Sequence, residues 1–352
     1  MIIRGIDTLE FGLEIYDYKE SMKDYLERFK ELKEQGQETC IKQEIMLHGI
    51  NFTVEKSGAP FYAYRLTCND FFLYFMEKTM DNNCPIKVKF LASYLWSYGY
   101  KVSYTKFIEW FCKFDLEVLY SKVSRVDICA DTDEAEFVIS DIKGLTTKAK
   151  VKELHYVDDI YYSGKVFTGF TIGKGNPLLC RIYNKTMEIK KSGKVWFYEL
   201  WKSKGWDGQK PVWRVEFQMR RELLKEFGIN SVEDIFFKEE QAWIYLTWEW
   251  LTIRSCSGEN VSRWKVKRKW KIIQNAVSNR DVSPLVREKV KEGNIYRLMD
   301  QAAGLYTTIG ALGNLKSVED TAKFIQSHAE DKLRNKETTF QVEKERRRSK
   351  FY

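Results

Sequence analysis

RVDICAD, residues 125–131, sets Val126, Ile128 and Ala130 in alternation with Arg125, Asp127, Cys129 and Asp131. A strand sends successive side chains to opposite faces, so this run predicts one face for a core and one face carrying charge. Two later runs repeat the pattern. In CRIYNK, residues 180–185, Arg181, Tyr183 and Lys185 share a face opposite Ile182. In WRVEFQMRRE, residues 213–222, Arg214, Glu216, Gln218 and Arg220 alternate with Val215, Phe217 and Met219. If the three strands lie in one sheet with their apolar residues toward a helix layer, the opposite face gathers acids, bases and a phenol. Such a face is a candidate site for metal-assisted phosphate chemistry.

Outward from these runs, residues 2–16 read as a strand, and 19–35 as a helix with Met22, Tyr25, Leu26, Phe29 and Leu32 on one stripe. Strand signals come next in EIMLHGINFTVEK, FYAYRLTCN and IKVKFLASYLWSYGY, and residues 104–114 put Phe107, Ile108, Phe111 and Phe114 on a helical face. GFTI and LLCRIYNK, joined through Gly173, Gly175, Asn176 and Pro177, predict a hairpin. MEIKKSGKVWFYELWKSKGW, residues 187–206, predicts a short helix with a polar loop, and WRVEFQMRRELLKEFGI a strand running into a helix that stops near Gly228. From Ser231 the pattern turns helical, through SVEDIFFKEEQAWIYLTWEWLTIR and SPLVREKVKEGNIYRLMDQAAGLYTTIGALG. The reading is therefore an α+β fold, a central antiparallel sheet backed by helices over 1–230, then a helical basic region over 231–330 and a charged, frayed tail over 331–352.

A chain of 352 residues that is 44% hydrophobic and 15% aromatic can bury a real core, which excludes disorder of the whole. A net charge of +8 leans toward a polyanionic partner where the excess is clustered. Seven scattered cysteines without a CxxC pair predict free thiols in a reducing interior, neither a disulfide framework nor a zinc ribbon. The N-terminus lacks a basic-then-apolar signal and no apolar run approaches the roughly 18 residues a span needs, so a cytoplasmic protein without a membrane partner is expected.

Asp127 and Glu216 sit centrally in apolar-alternating strands, where a carboxylate is costly unless paired, hydrogen-bonded or bound to a metal. Two hard oxygen donors, completed by water and a substrate phosphate, suit Mg or Mn. The plainer reading pairs them with Arg125 and Arg214 one pleat away. Tyr183 is flanked by Arg181 and Lys185, a setting that can hold a scissile phosphate; a tyrosyl ester conserves the energy of the broken bond. Twenty tyrosines in one chain mostly serve packing. Only His48, His155 and His328 exist, so no HxH pair can build a histidine-ligated metal site, and His155 reads as a solvated loop residue beside Asp158 and Asp159. SRWKVKRKWKIIQ, residues 262–274, carries Arg263, Lys265, Lys267, Arg268, Lys269 and Lys271 without an acid, interleaved with Trp264 and Trp270. The charges suit a nucleic-acid backbone and the indoles can stack on bases, so this run, together with Arg125 and Arg214, is the expected DNA contact.

The ordered set GIDTLEFG, SRVDICAD, GFTIGKG, LLCRIYNKTMEI and WRVEFQMRRELL resembles the rolling-circle replication initiation factor family, which includes plasmid and filamentous-phage Rep initiators and relaxases of conjugative transposons. The resemblance covers residues 1–230. It implies a Rep/relaxase-like nuclease fold and a divalent-metal-dependent nick in one strand of origin DNA, single-stranded at the nick, with a tyrosine left on the 5′ end. By it, Asp127 and Glu216 match acidic metal positions, and Arg181, Tyr183 and Lys185 match a strongly patterned strand. Many members carry a tyrosine just before the hairpin glycine, in a pattern like YIG, where this chain has Phe170, Thr171, Ile172 and Gly173. The expected nucleophile is then Tyr183, with Tyr161 or Tyr162 next. The expected function is replication initiation for a plasmid, phage or integrative element, with a host helicase as partner and a homodimer left open. The alternative is an origin-binding initiator that recruits a helicase without cutting, and a structural or RNA-binding protein stands third.

Overall fold

The alternation of the three runs is realised in one antiparallel sheet. The computed structural model describes residues 1–159, 164–277 and 295–348. Its chain order is β1 (Ile2–Ile15), α1 (Tyr18–Ser21), α2 (Lys23–Glu38), β2 (Gln43–Leu47), β3 (Ile50–Val54), β4 (Tyr64–Thr67), β5 (Phe71–Phe75) and β6 (Ile86–Phe90). Then come α3 (Ala92–Tyr98), α4 (Tyr100–Phe111), β7 (Val118–Thr132), β8 (Leu145–Thr147), β9 (Lys152–Asp159), β10 (Gly164–Gly173) and β11 (Leu178–Asn184). They are succeeded by α5 (Lys185–Ser192), α6 (Trp196–Ser203), β12 (Trp213–Arg220), α7 (Arg221–Glu226), α8 (Val232–Ile244), β13 (Leu251–Ile253) and α9 (Arg268–Gln274). Among the described residues eleven strands form the sheet, in the order β2-β3-β4-β5-β6-β1-β7-β12-β11-β10-β9. This α+β architecture is the one expected.

The three diagnostic runs are neighbours. In β7 and β12, Cys129 stands opposite Glu216 and Asp127 opposite Gln218; in β12 and β11, Glu216 stands opposite Arg181 and Arg214 opposite Tyr183. Val126, Ile128, Ala130, Ile182, Val215, Phe217 and Met219 are all buried on the other face. There Trp243 of α8 meets Phe217 edge to face, and Phe107 of α4 meets Phe11 and Phe90. Each such buried side chain is worth about 1.5–3 kcal/mol over its exposed state, and a slip of one residue would turn all of them to the wrong face. Register is therefore fixed by the core, and with it the set of groups on the polar face.

Three expectations change. IKVKFLASYLWSYGY is a strand only to Phe90; α3 then runs to Tyr98 and ends at Gly99, whose φ of 75° a side chain would strain. The boundary expected near 230 is absent, because the chain divides into Met1–Glu288 and Lys289–Tyr352. Apolar residues decide this: Trp243, Tyr245, Leu246 and Trp250, carried by α8 and a π-helical turn over Tyr245–Trp250, belong to the main core, and Leu251 and Ile253 of β13 pair with Thr147 and Leu145 of β8. The second unit contains α10 (Ile295–Leu312), α11 (Val318–Arg334) and α12 (Phe340–Arg348). For the tail from Asp331, which reads as a frayed helix or a disordered end, the structure takes the helical alternative: α11 ends at Arg334 and α12 follows. Ser317 caps α11, its side chain accepting from the Asp320 amide at 3.0 Å. The helical reading of residues 283–293 lies outside the described residues.

Candidate functional site

Helices packed on the sheet just after β11 divide its polar face in two. Asn184 caps α5 by accepting from the Met187 amide at 3.0 Å, so the chain leaves the strand directly as a helix over the sheet. With α6 it forms a second small core of Ile189, Phe197, Trp201, Trp206 and Val212. This core covers the end of the face that holds Asp131 and Arg214, both fully buried. Arg214 donates to Asp131 from Nε at 2.5 Å and Nη2 at 2.8 Å, and to Asp7 from Nη1 at 2.5 Å. Its guanidinium lies 4.7 Å from the Phe197 ring centroid, and Trp201 donates its indole N–H to Asp131 at 2.9 Å. Arg214 was expected at DNA; buried and saturated with partners, it instead braces the floor of the site. Gly5 has a related use, since a Cβ there would stand 2.8 Å from the ring of Trp96, the residue that donates to Asp7 at 3.1 Å.

The rest of the face is an open cleft of about 780 Å³, lined by Asp7, Arg125, Asp127, Arg181, Tyr183, Lys185 and Glu216 among others. That volume suits a small-ligand site. Arg125 donates to both oxygens of Asp127, at 2.8 and 2.5 Å. Arg181 donates to Glu216 at 2.8 Å, and the Tyr183 hydroxyl donates to the other Glu216 oxygen at 3.0 Å. The pairing reading thus holds for Asp127 with Arg125, while Glu216 pairs with Arg181 and not with Arg214. Lys185, buried at the start of α5, pairs with Glu188 at 2.5 Å and sits 5.6 Å from the Tyr183 ring centroid.

Electrostatics separate the members. Asp127 is pushed up to about 7, by burial first and then by the Glu216 and Asp7 charges, against the pull of Arg125. The Tyr183 phenol is pushed well above its usual range by burial and by the Glu216 carboxylate, outweighing Arg214. It keeps its proton until a base removes it, and Glu216 is the base in contact. Among the described residues no three His, Cys, Asp or Glu side chains close on one point. The donor chemistry nonetheless fits a hard divalent cation, because Asp127, Glu216 and Asp7 offer only carboxylate oxygens and their mutual repulsion is what such an ion relieves.

Several members were invisible to the pattern. Asp7 reaches the cleft from β1. Lys190, Lys191 and Lys194 line its rim from α5 and the turn after it, a signal present in the sequence as lysines just past CRIYN. His155, expected in a solvated loop, lies in β9 and lines the cleft with Nε2 2.5 Å from the Thr171 hydroxyl oxygen. Tyr161 and Tyr162 lie outside the described residues.

The basic run is only partly a free surface. Trp270 is buried and donates to the Thr247 carbonyl at 2.8 Å, within the π-helical turn; Trp264, half-buried, donates to the Gly258 carbonyl at 3.0 Å. Lys267 and Lys269 both grip buried Asp141, at 2.7 and 2.8 Å, and hold its carboxyl below the usual range although burial alone would raise it. The expectation of DNA contact is corrected for Trp270, whose ring is enclosed; Lys267 and Lys269, half-buried, share the single carboxylate of Asp141, so among the described residues one positive charge of the pair is left unmatched. Arg263, Lys265, Arg268 and Lys271 remain exposed. Replacing Arg263, Lys265 and Arg268 with Glu is expected to weaken DNA binding and to flatten the plot of log affinity against log salt by about 0.7–0.9 for each phosphate that is no longer neutralised. An unchanged slope would show that this face never meets a phosphate backbone.

No helix among the described residues is long and apolar enough to cross a membrane. Neither a protein-family model nor a curated protein matches the chain. In fold the chain is similar to the solved structure of the rolling circle replication initiator protein from Geobacillus stearothermophilus, with a TM-score of 0.50 and 15% identity over 82% of this chain and 100% of that one. The sheet architecture implied by the family resemblance is therefore present.

Proposed function

We propose that this protein is a replication initiator of a mobile element that binds origin DNA and cuts one strand in the cleft between β7, β12 and β11. The observation that carries this reading is the convergence of Tyr183, Glu216, Asp127, Arg125 and Arg181 on one open face, within a fold similar to that of a rolling-circle initiator. Asp127 and Glu216 would hold a Mg or Mn ion, which when bound supplies charge neutralisation at the phosphate under attack. The chain's own groups do the rest. Arg181 can trade its contact with Glu216 for a phosphate oxygen, and Lys190, Lys191 and Lys194 neutralise the flanking backbone. Tyr183 attacks phosphorus as Glu216 accepts its proton, and the new 5′ end of the cut strand stays on the phenol as a phosphate ester.

The test is a 3′-labelled pool of single-stranded DNA incubated with the full chain and manganese. A labelled species that survives denaturation and migrates with the protein supports cutting. Asp127→Ala is expected to slow adduct formation by about 100-fold or more, with DNA binding and the thermal transition retained. Wild-type rates in that variant would remove Asp127 from the chemistry.

A second reading, an initiator that binds the origin and recruits a helicase without cutting, draws on two observations. The hairpin position before Gly173 carries no tyrosine, and the Tyr183 phenol is held firmly protonated. Origin binding without any adduct under magnesium or manganese would select it.

A further inference from the structure

His155 is the one histidine in the cleft lining, and the function just proposed leaves it unused. Its strand position is the informative part. In register, His155 of β9 stands opposite Gly169 of β10, and Gly169 stands opposite Tyr183 of β11. Adjacent strands are about 4.8 Å apart, so the backbones carrying the imidazole and the phenol are separated by about 10 Å. Between them lies a position that must stay bare, because a Cβ on Gly169 would come within 2.1 Å of the Ile182 carbonyl oxygen and 2.8 Å of the Tyr183 Cα. The gap over Gly169 is thus flanked by a candidate nucleophile on one side and an acid–base group on the other. Thr171, the next residue on the same face of β10, sits 2.5 Å from His155 Nε2 and also lines the cleft. It stands opposite Arg181, which reaches toward Glu216.

Displacement at phosphorus needs the entering and leaving oxygens roughly in line, and the leaving 3′ oxygen is a poor leaving group until it gains a proton. We infer that the Thr171 and His155 pair supplies that proton. The inference rests on the cutting reading above. As the bond from the Tyr183 oxygen to phosphorus forms, its proton passes to Glu216. As the bond from phosphorus to the 3′ oxygen breaks, the Thr171 hydroxyl gives its proton to that oxygen and takes one from Nε2 of protonated His155. The products are a phosphotyrosyl ester at the new 5′ end, a free 3′ hydroxyl, a protonated Glu216 and a neutral imidazole. Run backwards, the same pair deprotonates a 3′ hydroxyl and rejoins a strand.

The experiment separates an acid from a structural prop. Cut sites of the wild-type chain are read from the DNA pool, and one is resynthesised with either oxygen or sulfur at the bridging 3′ position. Sulfur leaves without a proton. Thr171→Val and His155→Gln are expected to cut the oxygen DNA about 100-fold more slowly than wild type, and the sulfur DNA at rates within a few-fold of it. Thr171→Ser, which keeps a hydroxyl, is expected to cut both as wild type does. Equal defects on both substrates, no defect on oxygen, or failure of Thr171→Ser alongside Thr171→Val would each overturn the assignment while leaving the cutting reading in place. If the wild-type chain cuts no strand at all, the cutting reading fails first and this inference goes with it.

Discussion

Tyr183→Phe is expected to form no covalent adduct with single-stranded DNA under conditions where the wild-type chain does, while binding the same DNA without covalent attachment. The substitution removes one oxygen atom. That oxygen donates a single hydrogen bond to the Glu216 carboxylate, a loss of about 1.5–3 kcal/mol, too little to unfold a sheet of this size. Loss of the adduct would then report the missing nucleophile and not a damaged fold. The raised affinity of the phenol for its proton is compatible with this role, because it keeps the group inactive until substrate arrives and leaves a strong nucleophile once Glu216 takes the proton. Denaturing gels with the 3′ label provide the measurement. Should Tyr183→Phe retain the adduct while Tyr161→Phe or Tyr162→Phe loses it, the cut is real and the nucleophile lies in residues 160–163. Should no variant matter because no adduct forms, the non-cutting initiator is the better account.

Periodicity made much of the site legible in the sequence. Alternation in 125–131, 180–185 and 213–222 predicts which residues share a face within β7, β11 and β12; that Arg125, Asp127, Arg181, Tyr183 and Glu216 meet follows from the three strands being neighbours in one sheet, which the sequence offers only as a condition. Alternation says which residues share a face but not what covers it. Asp131 and Arg214 obey the same period as Asp127 and Glu216, yet α5 and α6 close over them. Nothing local to WRVEFQ announces a cover formed by α5 and α6, which precede it in the chain.

The misreadings have equally physical causes. KELHYVDD reads as a loop around His155 because it carries polar residues on both faces, as befits an edge strand paired on one side only. Lys267 and Lys269 looked like a nucleic-acid face because their partner, Asp141, lies more than 120 positions away. Trp270 reads as a stacking platform for a different reason. Its partner is the Thr247 carbonyl, set free by a π-helical turn that amphipathic spacing does not reveal. Charge runs are legible in a sequence; their counter-charges, when long-range, are not.

Arg214→Met is expected to destabilise the protein by about 3–5 kcal/mol, the cost of leaving buried carboxylates without their cation. Asp131 is wholly buried, and Arg214 supplies two of its hydrogen bonds, leaving, among the described residues, the Trp201 indole. The deficit should depend on pH in a definite direction. Burial alone would raise the Asp7 carboxyl, but Arg214, then Lys185 and Lys194, outweigh it and hold the group below its unfolded value. A carboxyl depressed in the folded state contributes stability that is fully present above the unfolded value, about 3.9, and is lost as pH falls through the folded one. Without Arg214 that contribution shrinks, so wild type and variant should differ most near neutrality and converge in acid. Urea transitions at pH 7 and at pH 3 provide the comparison, read as a change in midpoint at constant slope. Adding Asp131→Asn should recover part of the loss, because an amide in that pocket needs no counter-ion and can still accept from Trp201. A variant as stable as wild type at pH 7, or a deficit that does not narrow toward pH 3, would show that the buried arginine is not what holds Asp7 and Asp131 beneath the cleft.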